Sequence, residues 1–110
     1  MKDAISAKTK MIIVNTPHNP SGAIWSKQDW LNLIELIQNT NIVVLSDEVY
    51  EHLIFDGQQH YSALSFPELR HRSYVVGSFG KTFHVTGWKT GYCIASPELM
   101  KVFRQVYQFA

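Results

Sequence analysis

Lys81 stands in a stretch whose composition could make its amine reactive. Residues 78–92 read S-F-G-K-T-F-H-V-T-G-W-K-T-G-Y and follow the apolar run 74–76. Because apolar surroundings disfavour an ammonium group, we expect the pKa of Lys81 to be lowered, and a neutral amine attacks carbonyl carbons. A second cation, Lys89, would lower that pKa further if it lies nearby, or it could bind an anion. The alternative is a solvated surface lysine after an ordinary turn, which this stretch taken alone favours.

Polar side chains also follow two earlier apolar runs. Asn19 lies in the proline-rich loop N-T-P-H-N-P-S-G after residues 11–14, where Pro20 is a candidate for a cis peptide bond. Asp47 follows the apolar run 42–45 after one serine, at the end of a buried strand where a carboxylate needs a partner. Because ligands of open α/β sheets bind at the carboxyl ends of parallel strands, we expect Asn19, Asp47, Tyr50, Ser78 and Lys81 to share one crevice.

Strands and helices alternate in a way that would position these loops. The apolar runs 11–14, 42–45 and 74–76 lack polar alternation, which is typical of parallel strands buried on both faces, and residues 91–95 predict a fourth strand that is either parallel or an antiparallel edge. Ser26 and Asp29 predict a capping box, with Trp25 and Trp30 as a hydrophobic staple. Ser96 and a proline after it predict a second long helix. We therefore predict an α/β fold with a mostly parallel sheet of about four strands and flanking helices.

Composition limits the remaining possibilities. The chain has 110 residues and a net charge of +1, which gives no electrostatic basis for binding nucleic acid or an anionic membrane. No apolar stretch is long enough to span a bilayer and no secretory signal is evident, so we expect a cytoplasmic protein. Its single cysteine, Cys93, is expected to be a small core residue. The five histidines lack metal-ligand spacing, so we predict no metal site. We expect Glu48 and Glu51 to lie in a solvated turn, and His60, Arg70 and His71 to lie on the surface.

Three elements of the sequence together resemble the class I and II aminotransferases, fold-type I enzymes that use pyridoxal 5′-phosphate (PLP). The elements are N-P-x-G at 19–22, S-D-E-V-Y at 46–50, and S-F-G-K followed by G-W-K-T-G-Y at 78–92. They occur in the family's order and at similar spacing, and the last looks most like the methionine aminotransferase and kynurenine/glutamine-type branch. The resemblance implies transfer of an amino group between an amino acid, such as methionine or an aromatic one, and a 2-oxo acid.

The resemblance also implies a role for each matching residue. Lys81 would form the imine with the cofactor aldehyde and then move protons as general base and acid. Asp47 would pair with the pyridine nitrogen, an interaction worth about 4 kcal/mol at ~4 Å and an effective dielectric near 20. Asn19 and Tyr50 would bind the ring's 3-oxygen. The phosphate would be bound by Ser78 and Lys89. The family usually has arginine at position 89, and a lysine there keeps the positive charge but loses the bidentate fork of a guanidinium.

Several parts of a complete enzyme of this family are not identified in the sequence. They are an upstream phosphate-binding loop, an aromatic ring stacked on the cofactor, a downstream arginine for the substrate carboxylate, and residues from the second subunit of a homodimer. We therefore expect residues 1–110 to be a single partial domain, the central part of the large PLP-binding domain, with little activity alone. The alternatives are a non-catalytic remnant, a PLP-dependent C–S lyase on the same scaffold, and a nucleotide-binding module, which lacks its usual glycine-rich loop.

Overall fold

Four strands form one sheet in the computed structural model, which describes residues 2–109. The strands are β1 (Met11–Asn15), β2 (Val43–Asp47), β3 (Ser73–Ser78) and β4 (Gly91–Ile94), in the spatial order β1-β2-β3-β4. The first three are parallel and β4 is antiparallel to β3. The prediction of a mostly parallel four-stranded sheet with flanking helices is confirmed, and β4 takes the antiparallel edge position.

Helix α1 (Lys27–Ile37) connects β1 to β2 and supplies much of the core. Its start follows the predicted chemistry: Ser26 Oγ accepts from Asp29 N, and Asp29 Oδ2 accepts from Ser26 N at 2.8 Å. The Trp25 and Trp30 rings meet with centroids 4.9 Å apart. The buried face of α1 packs on the sheet together with α2 (Pro67–Arg70) and the short 3₁₀ turn Ala63–Ser65. These elements share one hydrophobic core, which consists of Val14, Trp30, Leu33, Ile37, Ile42, Val44, Ala63, Phe66, Leu69 and Val75.

The prediction that each strand is buried on both faces is wrong for β1. Val14 is only 3% exposed, whereas its neighbour Ile13 is 68% exposed and Met11 is 45% exposed. Successive side chains of a strand point to opposite faces, and only one face of the sheet is covered by α1 here. The apolar run without alternation therefore predicted the strand correctly, but it did not predict that one face of β1 is exposed.

Helices α3 (Phe79–Thr82) and α4 (Pro97–Tyr107) complete the chain, with a 3₁₀ turn at Thr86–Trp88. Ser96 caps α4 through Leu99 N, and Tyr74 Oη donates to Leu99 O at 2.9 Å. Since Tyr74 alternates with the core residue Val75, α4 lies against the sheet face opposite α1. Cys93 is half-buried on β4. Within residues 2–109, no helix is both long and apolar enough to cross a membrane.

Candidate active site

The strand register brings the predicted site loops to one edge of the sheet. Asn15 pairs with Asp47, and Asp47 pairs with Val76, so the carboxyl ends of β1, β2 and β3 lie side by side. Ser78 pairs with Gly91, so the connection between β3 and β4 lies at the same edge. All six predicted site residues lie at these strand ends or on the connections that follow them.

Asn19 and Tyr50 meet across two of these loops. Asn19 Nδ2 donates to Tyr50 Oη at 3.2 Å, although the two residues are 31 positions apart. Asn15 holds the first loop in place, because its Oδ1 accepts from Asn19 N at 3.1 Å and its Nδ2 donates to Asp47 O at 3.2 Å. Sequence reasoning missed Asn15. An asparagine at the last position of a strand, directly before a turn, is the signal that could have identified it.

Pro17 and Pro20 shape the loop that carries Asn19. Both are preceded by cis peptide bonds, as expected for Pro20. Thr16, which is fully buried, donates its N–H to Asp47 O at 3.1 Å and accepts from Trp25 N at its Oγ1. The loop is therefore fixed to β2 at its start and to the beginning of α1 at its end.

Asp47 is half-buried at the end of β2, and its carboxylate is partly engaged. Oδ1 accepts from Val49 N at 3.2 Å, which forms a tight side-chain turn directly after the strand. Among residues 2–109, this is the hydrogen bond that the structure gives to the carboxylate, so Oδ2 remains available to a positively charged or N–H partner. The expectation that Asp47 needs a partner is thus met in part by the backbone.

Ser78, Lys81 and Lys89 lie on the connection between β3 and β4. Ser78 is the half-buried N-cap residue of α3, and Lys81 is the third of the four residues of this helix. Lys89 has φ of 53°, in the left-handed region, after the 3₁₀ turn. The expected apolar enclosure of Lys81 is wrong for this structure. Lys81 is exposed, as are Phe83 at 65% and Trp88 at 75%, so these aromatic side chains do not enclose the amine. No hydrogen bond or ion pair within residues 2–109 joins Lys81 to Asp47.

Glu48, which was expected to be solvated, is a buried anion at 2% exposure. Its Oε1 accepts from Ser46 Oγ at 2.8 Å, Ser62 Oγ at 3.1 Å and Ala63 N at 3.0 Å. His60 Nε2 donates to Oε2 at 3.0 Å. Burial acts to raise the pKa of Glu48, but these four hydrogen bonds outweigh it and lower the pKa.

His60 and Glu51 also depart from the expectation of solvated positions. The His60 side chain is 12% exposed, and Glu51 Oε1 accepts from Tyr92 Oη at 2.7 Å. Glu48, Glu51 and His60 offer ligand atoms that all lie within 4.8 Å of one another. Glu48 already accepts four hydrogen bonds, one of them from His60, and Glu51 accepts one from Tyr92. Because these hydrogen bonds already pair the three side chains, we propose no metal ion there. By contrast, Arg70 and His71 are exposed, as expected.

A cavity of about 420 Å³ lies beside the Asn19–Tyr50 hydrogen bond. Its walls come from the proline-rich loop and from residues 53–58 after β2, and include Phe55, which is 69% exposed. Asp47, Ser78 and Lys81 are not part of its lining. The cavity and the predicted chemistry therefore share only Asn19 and Tyr50, and the polar strand ends rather than the cavity define the candidate site.

Comparisons with known proteins agree with the resemblance seen in the sequence. The family model Aminotransferase class I and II matches residues 1–110. The chain is 48% identical over 105 residues to a methionine aminotransferase of Escherichia coli (strain K12), covering 96% of this chain and 27% of that protein. It is 39% identical over 103 residues to human kynurenine–oxoglutarate transaminase 1, covering 94% of this chain and 24% of the relative.

Solved structures give the same picture for the fold. The crystal structure of an Escherichia coli methionine aminotransferase matches with a TM-score of 0.95 and 46% identity, covering 98% of this chain and 29% of that one. N-succinyldiaminopimelate aminotransferase from Mycobacterium tuberculosis matches with a TM-score of 0.93 and 36% identity, covering 98% and 28%. The chain thus spans about a quarter of the length of the proteins it matches. The sequence match over its whole length and the shared fold establish that the chain belongs to the aminotransferase class I and II family.

Proposed function

We propose that the chain is the cofactor-binding part of a PLP-dependent transaminase. The observation that carries the proposal is the convergence of the loops after β1, β2 and β3 at one sheet edge, where Asn19 and Tyr50 are hydrogen bonded at 3.2 Å. Family membership supports transfer of an amino group between an amino acid and a 2-oxo acid. Likeness to methionine and kynurenine aminotransferases supports methionine or an aromatic amino acid as donor.

The donor and acceptor groups at this edge fit PLP. The half-buried carboxylate of Asp47 accepts a hydrogen bond from Val49 N at one oxygen, and its other oxygen could pair with a protonated pyridine nitrogen. The Asn19 amide and Tyr50 hydroxyl could bind the ring's 3-oxygen. When bound, PLP supplies an electron sink for the carbon that loses its proton.

The remaining residues would act on the other groups of PLP. The Lys81 amine would condense with the aldehyde and, once released, would move protons at the reacting carbon. The Ser78 hydroxyl and the Lys89 ammonium would bind the phosphate, with Lys89 as a point charge rather than a bidentate fork. We propose that residues 1–110 form the central part of a large PLP-binding domain. The complete protein would act as a homodimer, as is common for this family.

A titration of the full chain with PLP, followed by its absorption spectrum, tests the proposal. We expect a saturable spectral change that is lost in Lys81→Ala and retained in Lys27→Ala, an exposed lysine at the start of α1. Asp47→Asn should weaken binding by about tenfold, because it removes one charge-assisted hydrogen bond. A Lys81→Ala variant with the spectrum and affinity of the unmodified chain would refute the assignment.

A binding role without turnover is the second candidate, and the exposure of Lys81 favours it. Proton transfer at a substrate carbon requires a positioned and water-excluded amine, which the described residues do not provide around Lys81. An assay with methionine and a 2-oxo acid separates the two candidates. Saturable PLP binding with no product supports binding alone, whereas product formation that depends on Lys81 supports catalysis.

A further inference from the structure

Tyr92 connects two loops of the proposed cofactor site that are far apart in sequence. Tyr92 is on β4, directly after the loop that carries Lys81 and Lys89. Its hydroxyl donates to Glu51 Oε1 at 2.7 Å, 41 residues earlier in the chain and next to Tyr50. An O–H donor and a carboxylate at this distance form a charge-assisted hydrogen bond, which is roughly twice as strong as a neutral one. The contact joins β4 to the loop after β2 across the intervening strand β3.

Gly77 is what allows the Tyr92 ring to cross β3. The two residues pair in the antiparallel register. A Cβ placed on Gly77 would lie 2.3 Å from Tyr92 Cζ and 2.4 Å from its Oη, closer than real Cβ atoms come to other atoms. Any side chain at position 77 would therefore displace the ring. Gly91 makes a similar approach possible, because a Cβ there would lie 2.7 Å from Gly77 O.

The Tyr92 ring also contacts the start of the helix that carries Lys81. Its centroid lies 5.5 Å from that of Phe79, the first residue of α3, with the planes tilted by 52°. Phe79 N donates to Thr90 O at 3.2 Å, which closes the loop between β3 and β4. At the other end, Glu51 N donates to Glu48 O at 2.9 Å, and the Glu48 side chain is fixed in the core. A continuous series of contacts thus runs from the buried Glu48 turn through Tyr92 to α3.

We propose that Tyr92 is a positioning residue that holds the Tyr50 loop and the Lys81 helix in a fixed relation, by bonding Glu51 and packing on Phe79 above Gly77. The inference rests on the proposed function, since the two loops carry groups that would have to meet on one cofactor. The exposed His52 ring, with its Nε2 3.8 Å from Glu51 Oε1, adds little to this connection. Glu51, Gly77 and Tyr92 thus act together: Gly77 leaves room for the Tyr92 ring, and Glu51 accepts the hydrogen bond of its hydroxyl.

The test compares Tyr92→Phe with a matched control, Tyr74→Phe. Tyr74 is also half-buried on an adjoining strand and donates one hydrogen bond, but to Leu99 O of α4 rather than to a site loop. Hydrogen–deuterium exchange of the full chain without cofactor measures the two loops directly. We expect the amides of Phe79 and Glu51 to exchange about tenfold to a hundredfold faster in Tyr92→Phe, because one hydrogen bond to a charged group is lost. The exchange of both amides should be unchanged in Tyr74→Phe.

Three further variants separate positioning from general destabilisation. Glu51→Gln keeps an oxygen acceptor for Tyr92, so it should restore most of the protection that Glu51→Ala loses. Gly77→Ala should mimic Tyr92→Phe, because the added methyl displaces the ring. Equal exchange in Tyr92→Phe and the unmodified chain would overturn the inference whether or not PLP binds. Faster exchange in both loops, together with a weaker PLP spectral change, supports it. Faster exchange in a chain that never binds PLP supports the connection and refutes the proposed function.

Discussion

Replacement of the buried Glu48 carboxylate should cost more stability than its place in a charged turn suggests. The variant Glu48→Gln keeps the side-chain volume and one oxygen, which can still accept from Ser46, Ser62 and Ala63. It replaces Oε2 with an amide nitrogen that faces His60 Nε2, 3.0 Å away in the unmodified chain. His60 cannot easily adapt by moving its proton, because its Nδ1 is buried and has no partner among residues 2–109.

The expected loss follows from one broken hydrogen bond to a buried charge. We expect Glu48→Gln to lower the free energy of unfolding by about 1.5–3 kcal/mol. Glu48→Ala, which leaves all four donors unpaired in the core, should cost about 3–5 kcal/mol. Glu35→Gln, an exposed glutamate on α1, serves as the control and should change the free energy by less than ~0.5 kcal/mol. Urea unfolding followed by circular dichroism at neutral pH measures all three.

The pH dependence provides a second check on the same group. Because the folded-state pKa of Glu48 is lowered from 4.5, its contribution is present above pH 4.5 and is lost as the pH falls through the lowered value. The difference in stability between the unmodified chain and Glu48→Gln should therefore shrink on acidification below about pH 4.5. A Glu48→Gln variant as stable as the unmodified chain at neutral pH, with a parallel acid profile, would show that the four hydrogen bonds do not act as described.

Further substitutions test the cap, the core and the Tyr92 hydroxyl. Ser26→Ala should lower the free energy of unfolding by about 1 kcal/mol, because the capping box of α1 is lost, and an unchanged urea midpoint would contradict this. Ile37→Ala should cost about 2–5 kcal/mol in the same assay, whereas Ile13→Thr, on the exposed face of β1, should cost less than ~0.5 kcal/mol. Equal costs would refute the placement of the core on the α1 side of β1. The hydrogen bond to the Glu51 carboxylate, together with burial, raises the pKa of Tyr92 from 10.0 to about 12. The stability that the Tyr92 hydroxyl adds should therefore be lost as the pH rises from 10.0 to about 12. A difference in the free energy of unfolding between the unmodified chain and Tyr92→Phe that stays constant over that range would contradict this.

Features that depend on neighbouring residues could be predicted from the sequence. The Ser26–Asp29 capping box, the contact between Trp25 and Trp30, and the strand–helix–strand order all follow from rules that act within a few positions. The parallel register then follows from the order of the elements, and it brings the site loops to one edge.

Features that depend on distant partners could not be predicted in this way. Glu48 looked like a solvated acid because its partners His60, Ser62 and Ala63 lie 12 to 15 residues later, in a segment without periodic structure. The Glu51–Tyr92 bond spans 41 residues for the same reason. The exposure of Lys81 was missed because apolar neighbours in sequence need not surround a side chain in space.

Reduction of the PLP-treated chain with borohydride, followed by digestion and mass spectrometry, locates the amine that reacts with the cofactor. At low PLP concentration we expect one modified peptide, carrying the label on Lys81, and little label on the exposed lysines Lys27 and Lys101. Label distributed evenly among the lysines would mean that the sheet edge holds no cofactor site, and the proposed function would be wrong.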